Sequence, residues 1–241
     1  VYLYARFIAM TMSKTGILKS SLSKKYVMAF TGLFLCIFLV GHLIGNVQLF
    51  STGPEGQAAF NSYAEFMTSN PLIKLMSYLT YASVLFHVVD GFVLTIKNRK
   101  ARPVNYVVEK GNLNSSWASR NMALLGTILL VFIVTHMQHF WWTMHFGDII
   151  MVDGVKDLHT VVMDFFNPAV NRLAAVMTGL YVFAMISMGF HLNHGFQSAF
   201  QSLGLNHPKY TPMIQFVGKA FSVIVPAGFA SLPIYLFLIQ S

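Results

Sequence analysis

Long apolar runs alternate with short polar segments along the whole chain. Five runs, residues 26–50, 72–96, 118–146, 169–200 and 212–239, are long enough to cross about 30 Å of hydrocarbon at roughly 1.5 Å per residue. Their apolar positions are continuous rather than alternating, so helices are predicted and barrel strands are not. Gly53-Pro54, Asn70-Pro71, Asn167-Pro168 and His207-Pro208 mark the connections. Pro226 and Pro233 predict a kinked fifth helix. The expected fold is all-α, an integral membrane bundle of five transmembrane helices. Residues 1–25 are expected to be an N-terminal segment and residues 26–241 the transmembrane domain. No internal repeat interrupts this reading.

Composition agrees with the pattern. The 241 residues are 55% hydrophobic and 10% charged, and mean hydropathy is +0.59. A soluble domain carries about a quarter charged residues. The net charge of +8 raises the question of a nucleic-acid partner. The basic residues sit between apolar runs rather than along an amphipathic face, so they read as a topology signal and no nucleic acid is expected. Thirteen of the 16 Lys and Arg fall on the side of the N-terminus. They lie in the N-terminal segment, in the loop from Lys97 to Arg120, and around Lys209 and Lys219. The other side has Lys74, Lys156 and Arg172 against Glu55, Glu65, Asp148, Asp153, Asp157 and Asp164. This asymmetry predicts a cytoplasmic N-terminus and an outer C-terminus. Val1–Met10 is too short to span and lacks a small-residue cleavage site, whereas Met12 precedes a polar, basic stretch. Translation is therefore expected to begin at Met12. The lone cysteine, Cys36, rules out a disulfide framework or an iron–sulfur cluster from this chain, and without a CxxCH motif no covalent haem attachment is expected.

Histidine changes the picture most. Four of the nine, His42, His87, His136 and His191, fall one in each of the first four spans. A buried imidazole is costly in hydrocarbon unless its nitrogens are paired. A single one is as readily a core histidine bonded to a carbonyl as a functional group; four demand more. His42 lies 8 residues before Phe50, His136 10 before Phe146, His87 9 before Ile96 and His191 9 before Phe200. With alternating helix directions, each is about 12–15 Å from one membrane face. His42 and His136 then share an outer level, and His87 and His191 an inner one. Two pairs at two depths is what bis-histidine ligation of two haems in a bundle requires. The candidate axial ligands are thus His42 with His136, and His87 with His191.

Other residues fill out the pattern. Gly41, Gly45, Gly91 and Gly195 flank the ligands and would let a flat porphyrin approach, although glycine also serves plain helix packing. His139 and His194, three residues past two of the ligands, are competing candidates nearer a face. His145, His159 and His207 are expected to be solvated. The HxxH of His191 and His194 resembles a fragment of a di-iron cluster, but the buried histidines are split between two levels. No HExxH or carboxylate-rich set occurs.

The stretches Phe38 to Asn46 (FLVGHLIGN), Ala59 to Ser62 (AFNS) with Phe66-Met67, Phe86 to Gly91 (FHVVDG) and Phe190 to Gly195 (FHLNHG) resemble the cytochrome b558 family. This is the membrane anchor of succinate dehydrogenase and fumarate reductase, the succinate:quinone oxidoreductases. The resemblance runs from Tyr26 to about Phe200 and rests on the order and spacing of these stretches; Val134 to Met137 matches more loosely. It implies a two-haem member with two haem b groups held by His42, His87, His136 and His191, in a bacterial inner (cytoplasmic) membrane. It also implies a flavoprotein subunit, and an iron–sulfur subunit docked on the basic cytoplasmic loops. Electrons would pass by way of the two haems, about 10–15 Å apart along the membrane normal, to or from quinone, most simply menaquinone. No succinate-binding residue belongs to this chain.

Quinone chemistry is expected near the outer haem. Glu65 is the candidate proton partner there, against its reading as a solvated loop acid. Asp90, the one acid in a span, is a candidate to orient polar groups at the inner haem, and Arg172 to pair with an outer propionate or anchor at the interface. Two other readings stay open: the cytochrome b subunit of a hydrogenase, formate dehydrogenase or nitrate reductase, and a transporter whose histidines relay protons.

Overall fold

The computed structural model describes residues 20–101, 113 and 115–241. The expected start at Met12, the basic residues up to Lys19, and Arg102 and Lys110 lie outside the described residues. The chain is an all-α membrane bundle. In order it forms α1 (Ser21–Asn46), extended by a 3-10 turn to Phe50, α2 (Gly53–Ser69), α3 (Pro71–Lys100), α4 (Trp117–Arg120) and α5 (Met122–His136). A π-helical stretch (Met137–Trp142) carries α5 into α6 (Thr143–Phe146). A small hairpin, β1 (Met151–Val152) and β2 (Val155–Lys156), leads to α7 (Leu158–Phe166), α8 (Ala174–Ser202) and α9 (Thr211–Leu238). Five helical segments are long and apolar enough to cross a membrane: Leu22–Phe50, Pro71–Lys100, Met122–Phe146, Ala174–Ser202 and Thr211–Leu238.

Local chemistry sets the ends of these helices. The Ser20 hydroxyl accepts from the Ser23 amide at 3.0 Å and starts the first span. Asn70 caps the second, accepting from Leu72 and Ile73 amides, with Pro71 at the first helical position. Lys97, Arg99 and Lys100 occupy its last turn, where cations meet the negative end of the helix dipole. The fourth span ends at Gly204, whose φ of 76° suits glycine. There the Leu205 amide reaches the Phe200 carbonyl at 2.9 Å, and the Gly204 amide reaches that of Gln201. The fourth span also begins five residues later than the apolar run suggests, because Asn171 ties the preceding turn together through Phe165 O and Leu173 N.

The first four spans close a ring: first on second, second on third, third on fourth and fourth on first. The fifth lies outside it, against the fourth and first. Glycines allow its close approach: Gly218 receives the Phe196 ring and Gly228 receives Leu43. Cys36, Met185, Met188, Leu192 and Val225 form the core where these three helices meet. Large apolar side chains such as Phe30, Ile37, Leu85, Val131, Phe183 and Val223 face outward, as lipid contact requires.

The face opposite the N-terminus, here the distal face, is capped by α2, the hairpin and α7. The hairpin turn is Asp153-Gly154, both residues at positive φ, the geometry Asp-Gly favours. A buried polar network joins α2 to α7. Asn61, 1% exposed, donates to Asp157 Oδ1 at 2.8 Å and accepts from the His159 amide at 2.9 Å. Gln57 donates to Asp157 Oδ2, and the Thr160 amide to Oδ1. Burial works against the Asp157 carboxylate, but hydrogen bonds from Thr160, Asn61 and Gln57 outweigh it and hold its pKa below the usual value.

Asn61→Ala should destabilise the cap by about 2–3 kcal/mol, since it strips a charge-assisted bond and orphans the His159 amide. A fall in thermal midpoint in detergent checks this. Because the folded Asp157 pKa is depressed, its contribution is fully present above 3.8 and lost as pH falls through the lower folded value. The deficit of the Asn61→Ala protein should therefore narrow in strongly acidic buffer and stay constant above about pH 5.

Candidate functional site

Ring closure puts the first and third spans on one diagonal and the second and fourth on the other. The four histidines meet across these diagonals. His42 and His136 have ring centroids 5.9 Å apart with planes at 86°. For His87 and His191 the values are 6.2 Å and 64°. Two imidazoles on opposite sides of one iron, with metal–nitrogen bonds of about 2 Å, have centroids about 6 Å apart. Both pairs match that spacing.

The surroundings bear on which ring nitrogen is available. The Thr31 hydroxyl donates to Val27 O at 2.7 Å, so it presents lone pairs to His87 Nδ1, 3.2 Å away. That contact favours a proton on Nδ1 and leaves the Nε2 lone pair free for a ligand role. Tyr181 Oη lies 3.4 Å from His136 Nδ1. Asn46 donates to the His42 carbonyl at 2.7 Å, with its amide nitrogen 3.4 Å from His42 Nδ1. His191 Nδ1 is buried without a partner among the described residues. Aromatic rings enclose the distal pair: Phe38 and Phe229 against His42, Phe132 and Phe140 against His136.

Of the two competing histidines, His139 is directed elsewhere. His139 sits in the π-helical stretch, bonded through Nδ1 to Thr135 O at 2.7 Å, with its ring on Phe165. A π-bulge shifts the facing of the residues within it, and this one turns His139 from the diagonal toward α7. His194 is half-buried, three residues beyond His191 on the same helix. His145 is exposed and stacked on Trp141, and His207 is exposed in the turn before α9. His159 departs from expectation: it is 6% exposed rather than solvated, and its Nε2 has no hydrogen-bond partner among the described residues. The connection after the first span reads as loop in the sequence, yet it folds as α2, which together with α7 covers this side chain.

The glycines also sort differently. Gly45 receives the Tyr63 ring and Gly91 touches Met28, so both serve helix packing. Gly41 and Gly195 face open space. The glycines set against candidate ligands are Gly32, whose added Cβ would stand 3.2 Å from His87 Cε1, and Gly126, 3.8 Å from His191 Cε1. Neither is near its partner in sequence, so only the fold reveals them.

Among the charged candidates, Asp90 is buried and ion-paired with Lys24 at 2.8 Å, tying the second span to the first. Glu65 is exposed on α2 and Arg172 exposed before the fourth span; neither forms an ion pair among the described residues. No group of three or more His, Cys, Asp or Glu able to hold a metal forms among the described residues. Each pair lacks the further protein donors that zinc or di-iron takes, whereas a porphyrin brings its own four. No family model, known protein or solved structure matches this chain.

Proposed function

We propose that the chain is a di-haem cytochrome b and the membrane anchor of a succinate:quinone oxidoreductase. Its work would be to pass electrons between an iron–sulfur subunit on the cytoplasmic side and membrane quinone. One observation carries the cytochrome reading: two diagonal histidine pairs, with centroids 5.9 and 6.2 Å apart, each spaced for a shared iron. The narrower assignment to complex II rests on the resemblance of the stretches around His42, His87 and His191. The histidine residues His42, His136, His87 and His191 would hold the irons, and the haems supply one-electron chemistry when bound. Thr31 and Tyr181 orient imidazoles, and the phenylalanines around His42 and His136 keep water from that level. Lys and Arg asymmetry supports a cytoplasmic N-terminus in a bacterial inner membrane, with basic loops facing a flavoprotein–iron–sulfur pair.

The purified protein should yield about two non-covalent haems per chain in a pyridine haemochrome assay, from the four-ligand count. His87→Ala or His191→Ala should remove one redox component, and His42→Ala or His136→Ala the other. If His42→Ala and His87→Ala abolish the same component, the diagonal pairing is wrong.

Near-perpendicular imidazole planes leave two iron d orbitals almost equal in energy. The oxidised protein should accordingly give highly anisotropic low-spin EPR signals. The 86° pair should be the more anisotropic, and rhombic spectra from both would contradict this geometry.

Quinone reaction at the distal face, with succinate oxidised on the other side, would make turnover sense the membrane potential. The coupling is about 2.3 kcal/mol per charge per 100 mV. In proteoliposomes an uncoupler should change the succinate-to-menaquinone rate once leak is controlled; an unchanged rate argues against transmembrane transfer.

A further inference from the structure

A shallow, largely open cavity of about 330 Å³ lies in the distal cap, between Gly53, Pro54 and Gln57 of α2 and His159, Met163 and Asp164 of α7. The network around it accounts for its polar groups other than the buried His159 ring and the half-buried Asp164 carboxylate. Gln57 is committed to Asp157 and Thr160, the His159 amide to Asn61, and Asp157 to Gln57, Asn61 and Thr160. The His159 side chain is left over. It is 6% exposed, its ring rests on Phe60 at 5.9 Å, and its Nε2 has no partner among the described residues. A buried ring nitrogen without a partner is unfavourable, and such groups in native proteins ordinarily meet one, protein or ligand. Burial lowers the His159 pKa, against the opposing pull of Asp157, so a neutral imidazole able to donate or accept one hydrogen bond is favoured.

The cavity also has a physical route to the distal histidine pair. One helix links them: α7 carries His159 near its start and Phe165 and Phe166 at its end. Phe165 lies 5.1 Å from Phe140, and Phe140 lies 5.3 Å from His136. The wall is mixed, with Pro54 and Met163 apolar and His159, Gln57 and Asp164 polar. A flat ring bearing a carbonyl or hydroxyl suits it, the ring against Met163 and the oxygen toward Nε2, which is covered in this fold and is reached by a turn of the imidazole. We propose that this cavity binds the quinone headgroup, with His159 Nε2 hydrogen-bonded to its oxygen. The assignment rests on the di-haem reading and names the residue that meets the substrate. Glu65 is not among the residues lining this cavity.

The test uses the intact complex and an aryl azide of 1,4-naphthoquinone, as photolabel and as titrant in the dark. Label is expected on residues 158–166 or 53–57. His159→Phe, which keeps the packing on Phe60 but loses the hydrogen bond, should weaken binding about tenfold. His159→Gln should stay within about threefold of the parent. Met163→Phe fills the cavity from the same helix, one turn beyond His159, without replacing a member of the Asn61–Asp157 network, and should give a comparable loss. In all three, haem content and both redox components should be unchanged. Label on other residues, or undiminished binding by His159→Phe and Met163→Phe with both haems present, overturns the site and leaves the cytochrome reading standing. A parent protein without haem overturns the cytochrome reading and this inference with it.

Discussion

An imidazole placed in hydrocarbon has two ring nitrogens and no water to satisfy them. Four such rings, one per span, constrain how four helices can be arranged. Adjacent antiparallel spans pack side by side, so in a closed ring of four the first meets the third, and the second meets the fourth, only across the interior. Those pairs of helices are too far apart for close backbone packing, and long side chains bridge them. His42 reaches His136 and His87 reaches His191 on these diagonals, at different depths, so neither pair obstructs the other. The cost of burying them is offset only if the Nε2 atoms are used and the Nδ1 atoms are held by neighbours such as Thr31.

The fifth span carries no candidate ligand, yet it fixes the fourth, which supplies one. Its Pro226 cannot donate to the Ser222 carbonyl, which would be left bare in lipid. Gly189 of the fourth span lies against that carbonyl, so close that a Cβ there would sit 3.0 Å from the oxygen. The freed acceptor is thereby covered by a neighbouring backbone, a contact of the weak Cα–H···O kind. Two turns on, Pro233 lies within the same helix, which runs unbroken from Thr211 to Leu238. At the distal end the Tyr235 hydroxyl donates to the Phe50 carbonyl, closing the first span against the fifth.

Apolar run length made the five spans legible in the sequence, since in lipid the backbone has few alternatives to a helix. The histidine levels were equally legible, because depth follows from residue number at a fixed rise. What failed to show were features that depend on neighbours. Gly53-Pro54 reads as a loop break, but proline near a helix start is compatible with the first turn, and α2 begins there. Asp153-Gly154 between apolar residues is a hairpin signal within the chain itself, and β1 and β2 meet there. The π-helical turn that directs His139 away from the diagonal has no sequence signature. The burial of His159 depends on α2 folding over it, which a reading of that connection as loop could not supply.

The spans are built to serve both levels at once. Gly32 lies ten residues before His42, and Gly126 ten before His136; each faces a ring of the other pair. Tyr181 lies ten residues before His191 and brings its hydroxyl to His136, again in the other pair. At about 1.5 Å and 100° per residue, ten residues climb roughly 15 Å and stop some 80° short of three full turns. The climb is that between the two levels. The missing angle swings the side chain off its own diagonal toward the neighbouring helix, where a histidine of the other pair stands. A helix that presents a histidine at one depth therefore presents, at the other, either a gap for a foreign imidazole or a hydroxyl to hold it. Substitution at such a position acts on the pair to which its own helix contributes no histidine.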